Sequence, residues 1–135
     1  MRNAKCLMKG GTMVKKIKDE LLADRLLAFA VSVIKIVNDL PQSRVGQHVS
    51  YQLLKSGTSP GANYEEARGA ESTKDFIHKL RVALKELKES RFWLKLIRAV
   101  PLVDEDRVVP LIQECEELIA ILAKSIITAR KSKSK

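Results

Sequence analysis

The stretch "KSGTSPGANYEEARGAESTKDF", residues 55–76, decides the fold, because it is compatible either with a loop or with a weakened helix. A proline inside a helix costs about 3 kcal/mol relative to alanine, and a glycine costs about 1 kcal/mol. Gly57, Pro60 and Gly61 therefore argue against a helix here. The choice depends on what the segments on either side require.

Three other segments carry apolar residues at helical spacing, in alternating steps of four and three. Pro41 is placed to stop the first of them, because the residue before a proline is pushed away from helical dihedrals. Ser90 is a single polar interruption in the next, and the last is an unbroken heptad seam. The predicted seams are Leu22, Leu26, Phe29, Val33, Ile36 and Leu40, widened by Leu27, Ala30, Ile34 and Val37; then Phe76, Leu80, Ala83, Leu87, Ser90, Leu94 and Ile97; then Val108, Ile112, Cys115, Ile119, Leu122, Ile126 and Ala129.

Three amphipathic helices with short connections need a fourth helix to close the core, and only residues 44–70 are long enough to supply it. The chain has 135 residues, of which 45% are hydrophobic and only 4% aromatic, which is typical of one all-α domain. We therefore predict an antiparallel up-down four-helix bundle with a kinked second helix. The predicted helices are residues 18–39, 44–70, 73–99 and 105–130, all approximate.

The second helix is expected to kink at Pro60, because the missing amide leaves the carbonyl of Ser56 without its helical donor. Its small residues would form a close-approach surface for a neighbouring helix, with Asn63 as a polar tie across it. Ser72 followed by Asp75 marks the start of the third helix as a capping box. The residues predicted to serve the kink and the helix packing are Ser56, Gly57, Ser59, Pro60, Gly61 and Asn63.

The net charge of +9 favours polyanionic partners, either nucleic acid or an anionic membrane surface, and the sign of the charge alone does not separate the two. Residues 1–14 are predicted to be a flexible basic extension, residues 15–131 the bundle, and residues 132–135 a basic tail. The longest apolar run, residues 26–34, is far shorter than the roughly 20 residues that span a bilayer. Neither a secretory signal nor a disulfide framework is indicated, so we expect a cytoplasmic protein without a membrane partner.

Catalytic and cofactor motifs do not match this sequence. "GTSPGAN" lacks the lysine and the spacing of a phosphate-binding loop. No Glu-x-x-His motif occurs, and the two histidines, His48 and His78, are thirty residues apart, so neither a di-iron site nor a zinc site is predicted. We expect no enzyme activity, no metal and no cofactor.

A basic lane runs along the predicted third helix, offset by about 200° from the apolar seam. It spans about 32 Å at 1.5 Å per residue, which is long enough to follow several phosphates of a nucleic acid. The alternative is an ordinary solvated helix face. The residues predicted to bind nucleic acid are Lys74, His78, Arg81, Lys85, Lys88 and Lys95 on this lane, together with Arg91 and Arg98 on a nearby lane.

The segment "RFWLKLI", residues 91–97, places a phenylalanine and the only tryptophan of the sequence among the basic residues of the third helix. Phe92 and Trp93 lie off the seam, which predicts that they point sideways or outward and form a protein interface. Base stacking on Phe92 is the weaker alternative, because a single aromatic ring is a small platform.

A Gln-Leu pair at 52–53, Ser-Pro at 59–60 and Asp-Phe at 75–76 follow one another in an order and spacing that is specific. In this pattern, residues 51–97 resemble the four-helix-bundle protein family that is encoded in intervening sequences of bacterial 23S ribosomal RNA genes. The chain is more distantly similar to the accessory variability determinant of diversity-generating retroelements, in bundle topology and in an "FWL" run. The resemblance extends over about residues 15–130. The residues that match the family's pattern are Gln52, Leu53, Lys55, Ser56, Ser59, Pro60, Asn63, Glu65, Glu66, Ala67, Ser72, Asp75, Phe76, Lys85 and Glu86.

The resemblance implies a non-enzymatic bundle that assembles as a ring-like homopentamer with a basic surface. The retroelement relative implies binding to nucleic acid and to a reverse transcriptase. Together with the basic lane, this predicts an oligomeric, non-catalytic protein that binds RNA or DNA through the phosphate backbone. The alternative is a protein-interaction scaffold that does not bind nucleic acid.

Overall fold

The computed structural model describes residues 11–134, which fold into four helices. These are α1 (Gly11–Asn38), α2 (Arg44–Arg68), α3 (Thr73–Ala99) and α4 (Glu105–Ser134). Each helix packs against the next along the chain, and α4 closes more loosely on α1. The prediction of an all-α, up-down four-helix bundle is confirmed.

The helix ends differ from the prediction mainly at the two termini. Helix α1 begins at Gly11, so residues 11–14 of the predicted flexible extension are helical, while residues 1–10 lie outside the described part of the chain. Helix α4 continues to Ser134 and takes in most of the predicted tail. Propagation explains both extensions, because a helix that is already nucleated gains one hydrogen bond for each added residue.

The predicted core seams are largely confirmed, with two corrections. All six seam residues of α1 are buried. In α3, Ile77 is buried at the position where the pattern placed Phe76, which is only half-buried. Leu27 and Ile34 do not widen the core of α1, because 64% and 41% of their surfaces are exposed. The core of the single chain is therefore narrower on α1 than its apolar pattern indicates.

The ambiguous stretch is helical, as predicted, and α2 runs without interruption through Pro60, whose ring is buried. Ser43 caps its first turn by accepting a hydrogen bond from the amide of Gly46. The chain leaves α2 at Gly69, and Ser72 then caps α3 by accepting from the amide of Asp75. The kink at Pro60 stays a prediction.

Small residues on α2 allow both neighbouring helices to come close. A Cβ atom at Gly57 would lie 2.7 and 2.8 Å from the two methyl groups of Val33 on α1. On the other side, the Ser90 hydroxyl of α3 donates a hydrogen bond of 2.9 Å to the fully buried Ser56 hydroxyl. Consecutive residues of α2, Ser56 and Gly57, thus make close contacts to α3 and to α1.

Asn63 does not act as the predicted tie across this surface. Its carboxamide donates to the backbone carbonyl and to the hydroxyl of Ser59, at 3.0 and 2.9 Å, and both acceptors belong to α2 itself. The interior proline explains this arrangement, since a helix weakened by Pro60 gains from side-chain hydrogen bonds one turn apart. Asn63 and the half-buried Ser59 thus reinforce their own helix.

No helix within residues 11–134 is both long and apolar enough to cross a membrane.

Candidate nucleic-acid interface

Helix α3 separates apolar and basic side chains onto opposite faces. Its buried side is formed by Ile77, Leu80, Ala83, Leu87, Ser90, Leu94 and Ile97. Steps of four and three from Lys74 to Lys95 lead along the opposite side, where six of the eight predicted basic residues are exposed and share one outward line. These six, called the basic lane from here on, are Lys74, His78, Arg81, Lys85, Lys88 and Lys95.

Ion pairs with acidic residues of the described chain do not neutralise the charges of the basic lane. Within the described residues, none of its six side chains makes an ion pair. The neighbouring Lys79, which lies off the lane, is paired with Glu66 of α2 at 2.8 Å. The lane therefore presents its charge to solvent, where an approaching phosphate can exchange places with counterions.

Arg91 and Arg98, which the sequence also assigned to this surface, turn toward α4. The guanidinium of Arg98 is held by Glu105, with Nη2 2.6 Å and Nε 2.8 Å from the same carboxylate oxygen. Arg91 is half-buried, and its charge partly lowers the pKa of the Cys115 thiol inside the bundle. Both arginines lie at the edge of the basic lane and are less available to a phosphate.

Two of the three acidic residues of α3, Glu86 and Glu89, lie on its flank toward α2. Glu86 and Glu89 are half-buried, whereas the basic lane is exposed. Burial raises the pKa of the Glu86 carboxyl and the charge of Glu89 raises it further, while Lys55 and Lys85 lower it. A carboxylate pair beside the lane limits how closely a polyanion can approach from the α2 side.

Phe92 and Trp93 behave differently from each other. Phe92 is 58% exposed and continues the line of the basic lane, whereas Trp93 is half-buried and packs against the core. The two rings are 5.0 Å apart and nearly perpendicular, and the ring of His48 on α2 lies 5.8 Å from Trp93. The indole N–H of Trp93 donates to the carboxylate of Glu89 at 3.1 Å.

An apolar face on α1 is a feature that the sequence analysis assigned to the core. Leu27, Val31 and Ile34 are exposed, and the half-buried Ala23, Ala30 and Val37 lie beside them. Ala23, Leu27, Ala30, Ile34 and Val37 follow one another at steps of four and three, which is a second heptad seam. That spacing was the signal for a second packing surface.

A shallow groove of about 330 Å³ lies between α1 and α4. Two of its three charged lining residues are engaged in ion pairs: Arg107 pairs with Asp39 at 2.7 Å, and Glu114 pairs with Arg25 at 2.6 Å, which leaves Lys35 as an isolated ammonium group within the described part of the chain. Among the described residues, no three His, Cys, Asp or Glu side chains are grouped so that they could hold a metal ion. The groove offers no cluster of uncommitted catalytic groups.

The sequence profile described as "23S rRNA-intervening sequence protein" matches residues 20–124, which is most of the chain. The chain belongs to this family. A similar solved structure is the crystal structure of a Bacteroides thetaiotaomicron protein of unknown function from the S23 ribosomal protein family. The two chains are 35% identical with a TM-score of 0.75, and the match covers 81% of this chain and 97% of the other. A search of curated proteins returned no match.

The residues that carry the resemblance to the 23S rRNA-intervening sequence family are mainly structural in this chain. Leu53, Ser56, Pro60 and Ala67 are buried on α2. Ser72 is the cap of α3, and Ser59 with Asn63 forms the hydrogen bonds inside α2. Of the six lane residues only Lys85 belongs to the matching pattern, so family membership specifies the fold more than it specifies the basic lane.

Proposed function

We propose that this protein is a non-catalytic, oligomeric bundle that binds RNA or DNA through the phosphate backbone. One observation carries the proposal: six exposed basic side chains follow a single line of α3 for about 32 Å, that line carries no acidic residue, and none of the six pairs with an acidic side chain of the described residues. A merely solvated helix face normally mixes both signs of charge.

Binding through the basic lane is expected to be sequence-independent and strongly dependent on salt. On duplex DNA, log affinity falls by about 0.9 per log unit of salt for each phosphate that is neutralised, because condensed counterions are released. The net charge of +9 adds long-range attraction that raises the association rate. Base-specific contacts are not required for either effect.

The apolar face of α1 supports the oligomeric part of the proposal. Its residues have the spacing of a helix-packing seam, yet its three large side chains, Leu27, Val31 and Ile34, are exposed in the single chain. Burying such a seam against another copy of the chain would remove apolar surface from water, worth roughly 25 cal/mol per Å². We expect the protein to form a homopentamer, which would display several basic lanes at once.

The test compares wild type with the triple variant Arg81→Glu, Lys85→Glu, Lys88→Glu. The anisotropy of labelled RNA and DNA is measured over a series of salt concentrations. We expect the variant to bind far more weakly and, on duplex DNA, to lower the magnitude of the salt slope by about 2.7, or 0.9 for each lost contact.

The matched control reverses three exposed basic residues outside the basic lane: Lys35→Glu, Arg44→Glu and Lys124→Glu. It changes the net charge by the same amount and should largely keep the wild-type salt slope. Equal affinities and slopes for wild type and the lane variant would contradict the proposal. Equal losses in the lane and control variants would mean that net charge, and not the lane, is responsible.

The second candidate function is a protein-interaction scaffold, which the 58% exposure of Phe92 favours. An exposed aromatic ring is a typical anchor at protein interfaces. This function predicts a stoichiometric protein partner whose binding survives the triple charge reversal, together with no nucleic-acid binding at physiological salt.

A further inference from the structure

We propose that Phe92 is a stacking site for an unpaired base, so that the basic lane binds single-stranded nucleic acid in preference to duplex. This inference rests on the proposed nucleic-acid binding and specifies which form of nucleic acid fits. RNA and DNA share the relevant chemistry, which is an exposed base with a phosphate on either side.

The position of Phe92 is the first support. Its ring interrupts the basic lane between Lys88, about 6 Å before it along the helix axis, and Lys95, about 4.5 Å after it. It is the only large apolar side chain on the lane, and it is 58% exposed. A strand that follows the lane therefore meets positive charge, an aromatic surface and positive charge again within about two helical turns.

The second support is that the ring is held in place. Trp93 lies 5.0 Å away in a perpendicular arrangement, and it is itself fixed by the core and by its hydrogen bond to Glu89. The ring of His48 on α2 also contacts Trp93, with ring centroids 5.8 Å apart. A platform that is ordered before binding loses less conformational entropy when the base arrives.

The chemistry then favours single strands. Stacking of a base on an aromatic side chain is sequence-tolerant, because every base has a π-face. In a duplex the faces of the bases are covered by their stacked neighbours, so Phe92 cannot reach them without an unstacking cost of a few kcal/mol. The phosphates of both forms remain accessible to the lysines, so only the single strand uses both parts of the surface.

The experiment measures anisotropy with single-stranded and duplex oligonucleotides of equal length, as RNA and as DNA. We expect Phe92→Ala to weaken single-strand binding about 5- to 150-fold, which corresponds to roughly 1–3 kcal/mol for one stacked base. Duplex binding should be unchanged. Phe92→Tyr should keep single-strand affinity, whereas Phe92→Leu, which keeps an apolar side chain without a π-face, should lose it.

The control is Tyr51→Ala, which removes an aromatic ring of similar exposure from α2. It should bind both forms like wild type. Trp93 provides an independent readout as the only tryptophan in the chain, and its fluorescence should change on addition of a single strand but not of a duplex.

Equal affinity of wild type for single strands and duplexes, or wild-type behaviour of Phe92→Leu, would overturn the stacking site while leaving the basic lane intact. Undiminished single-strand binding by Phe92→Ala would assign the exposed ring to protein contact instead. If wild type binds neither form, the proposed function fails together with this inference.

Discussion

Buried polar side chains in this bundle are few, and each has a partner. The hydroxyl of Ser90 donates to that of Ser56, which in turn donates to the backbone carbonyl of Leu53 at 3.4 Å. Among the described residues, no buried side-chain nitrogen or oxygen lacks a hydrogen bond. Because an unpaired buried hydroxyl costs about 1–3 kcal/mol, the serine pair penalises any shift of α2 against α3.

Cys115 should be a buried, unreactive thiol. Burial raises the pKa of Cys115 to about 12, against a partial lowering by Arg91, and the thiol donates to the backbone carbonyl of Leu87 at 3.2 Å. The thiolate is the reactive form, so in a Cys6→Ser background a thiol reagent at pH 8 should react with the native protein only as fast as it unfolds. In denaturant the same thiol should react rapidly.

The same pKa shift predicts how stability depends on pH. The folded state keeps the Cys115 proton up to about pH 12, whereas the unfolded chain releases it near pH 8.5. Stability contributed by this group is therefore complete below about pH 8.5 and falls as pH rises toward 12. Thermal unfolding between pH 7 and 10 should show this fall, and Cys115→Ala should reduce it. Rapid labelling of Cys115 in the folded protein at pH 8 would contradict its description as a buried, unreactive thiol.

Single residues were the most predictable level of this structure. The cap at Ser72 and the burial of Cys115 follow from local rules, since both depend on neighbours one turn away or on one helix face. The sequence could not predict that Ile77, and not Phe76, is the buried residue. Helix α3 begins only at Thr73, and both residues lie near the edge of its apolar stripe. Which of them turns inward depends on packing against the other helices.

At the scale of helices, the contact between α1 and α2 depends on a missing side chain. Gly57 faces Val33, which is fully buried and has no flexible end that could move aside. A Cβ atom at Gly61 would lie 3.7 Å from its nearest neighbours, which are atoms of Leu26 on α1, and this is an ordinary van der Waals distance. Two glycines one turn apart on the same helix are thus expected to respond oppositely to alanine.

Gly57→Ala should lower the free energy of unfolding by about 1 kcal/mol, because overpacking costs typically 1–3 kcal/mol and the gain in helix propensity is about 1 kcal/mol. Gly61→Ala should raise it by up to about 1 kcal/mol. Urea unfolding monitored by circular dichroism measures both. Adding Val33→Ala to Gly57→Ala should relieve part of the overlap, and equal effects of the two alanine substitutions would refute this account of the contact.

Helices could be predicted from the sequence, but the partners of their faces could not. The periodicity of α1 indicated one wide apolar stripe, and only half of it faces the core of this chain. The spacing of apolar residues indicates that a helix face packs against something, but it does not indicate which surface covers that face. Arg98 illustrates the same limit for charge, since its ion pair with Glu105 across the turn between α3 and α4 is visible only in the folded chain.

At the scale of the whole molecule, the proposed nucleic-acid binding would depend on how many basic lanes one assembly displays together. A single lane would supply weak, salt-sensitive contacts, whereas linked lanes convert later binding events into intramolecular ones and can raise overall affinity by factors of about 10² to 10⁴. The apolar face of α1 lies on a different helix from the lane, so burying it between copies leaves α3 open. Assembly and nucleic-acid binding are thus compatible in one particle.

This arrangement predicts that charges placed on the apolar face separate the copies and weaken binding together. Leu27→Lys with Ile34→Lys should convert the expected oligomer into monomers of 15.1 kDa by light scattering, because an unpaired charge buried at an interface costs several kcal/mol. Both residues are exposed in the single chain, so helical circular dichroism should remain unchanged. Despite its two added positive charges, the variant should bind nucleic acid more weakly than wild type, through loss of avidity.

The control, Val45→Lys with Ile127→Lys, adds the same charge at exposed aliphatic positions on α2 and α4 and should remain oligomeric. A wild-type protein that is monomeric at micromolar concentration would exclude the oligomer, and a control that dissociates equally would attribute the effect to net charge.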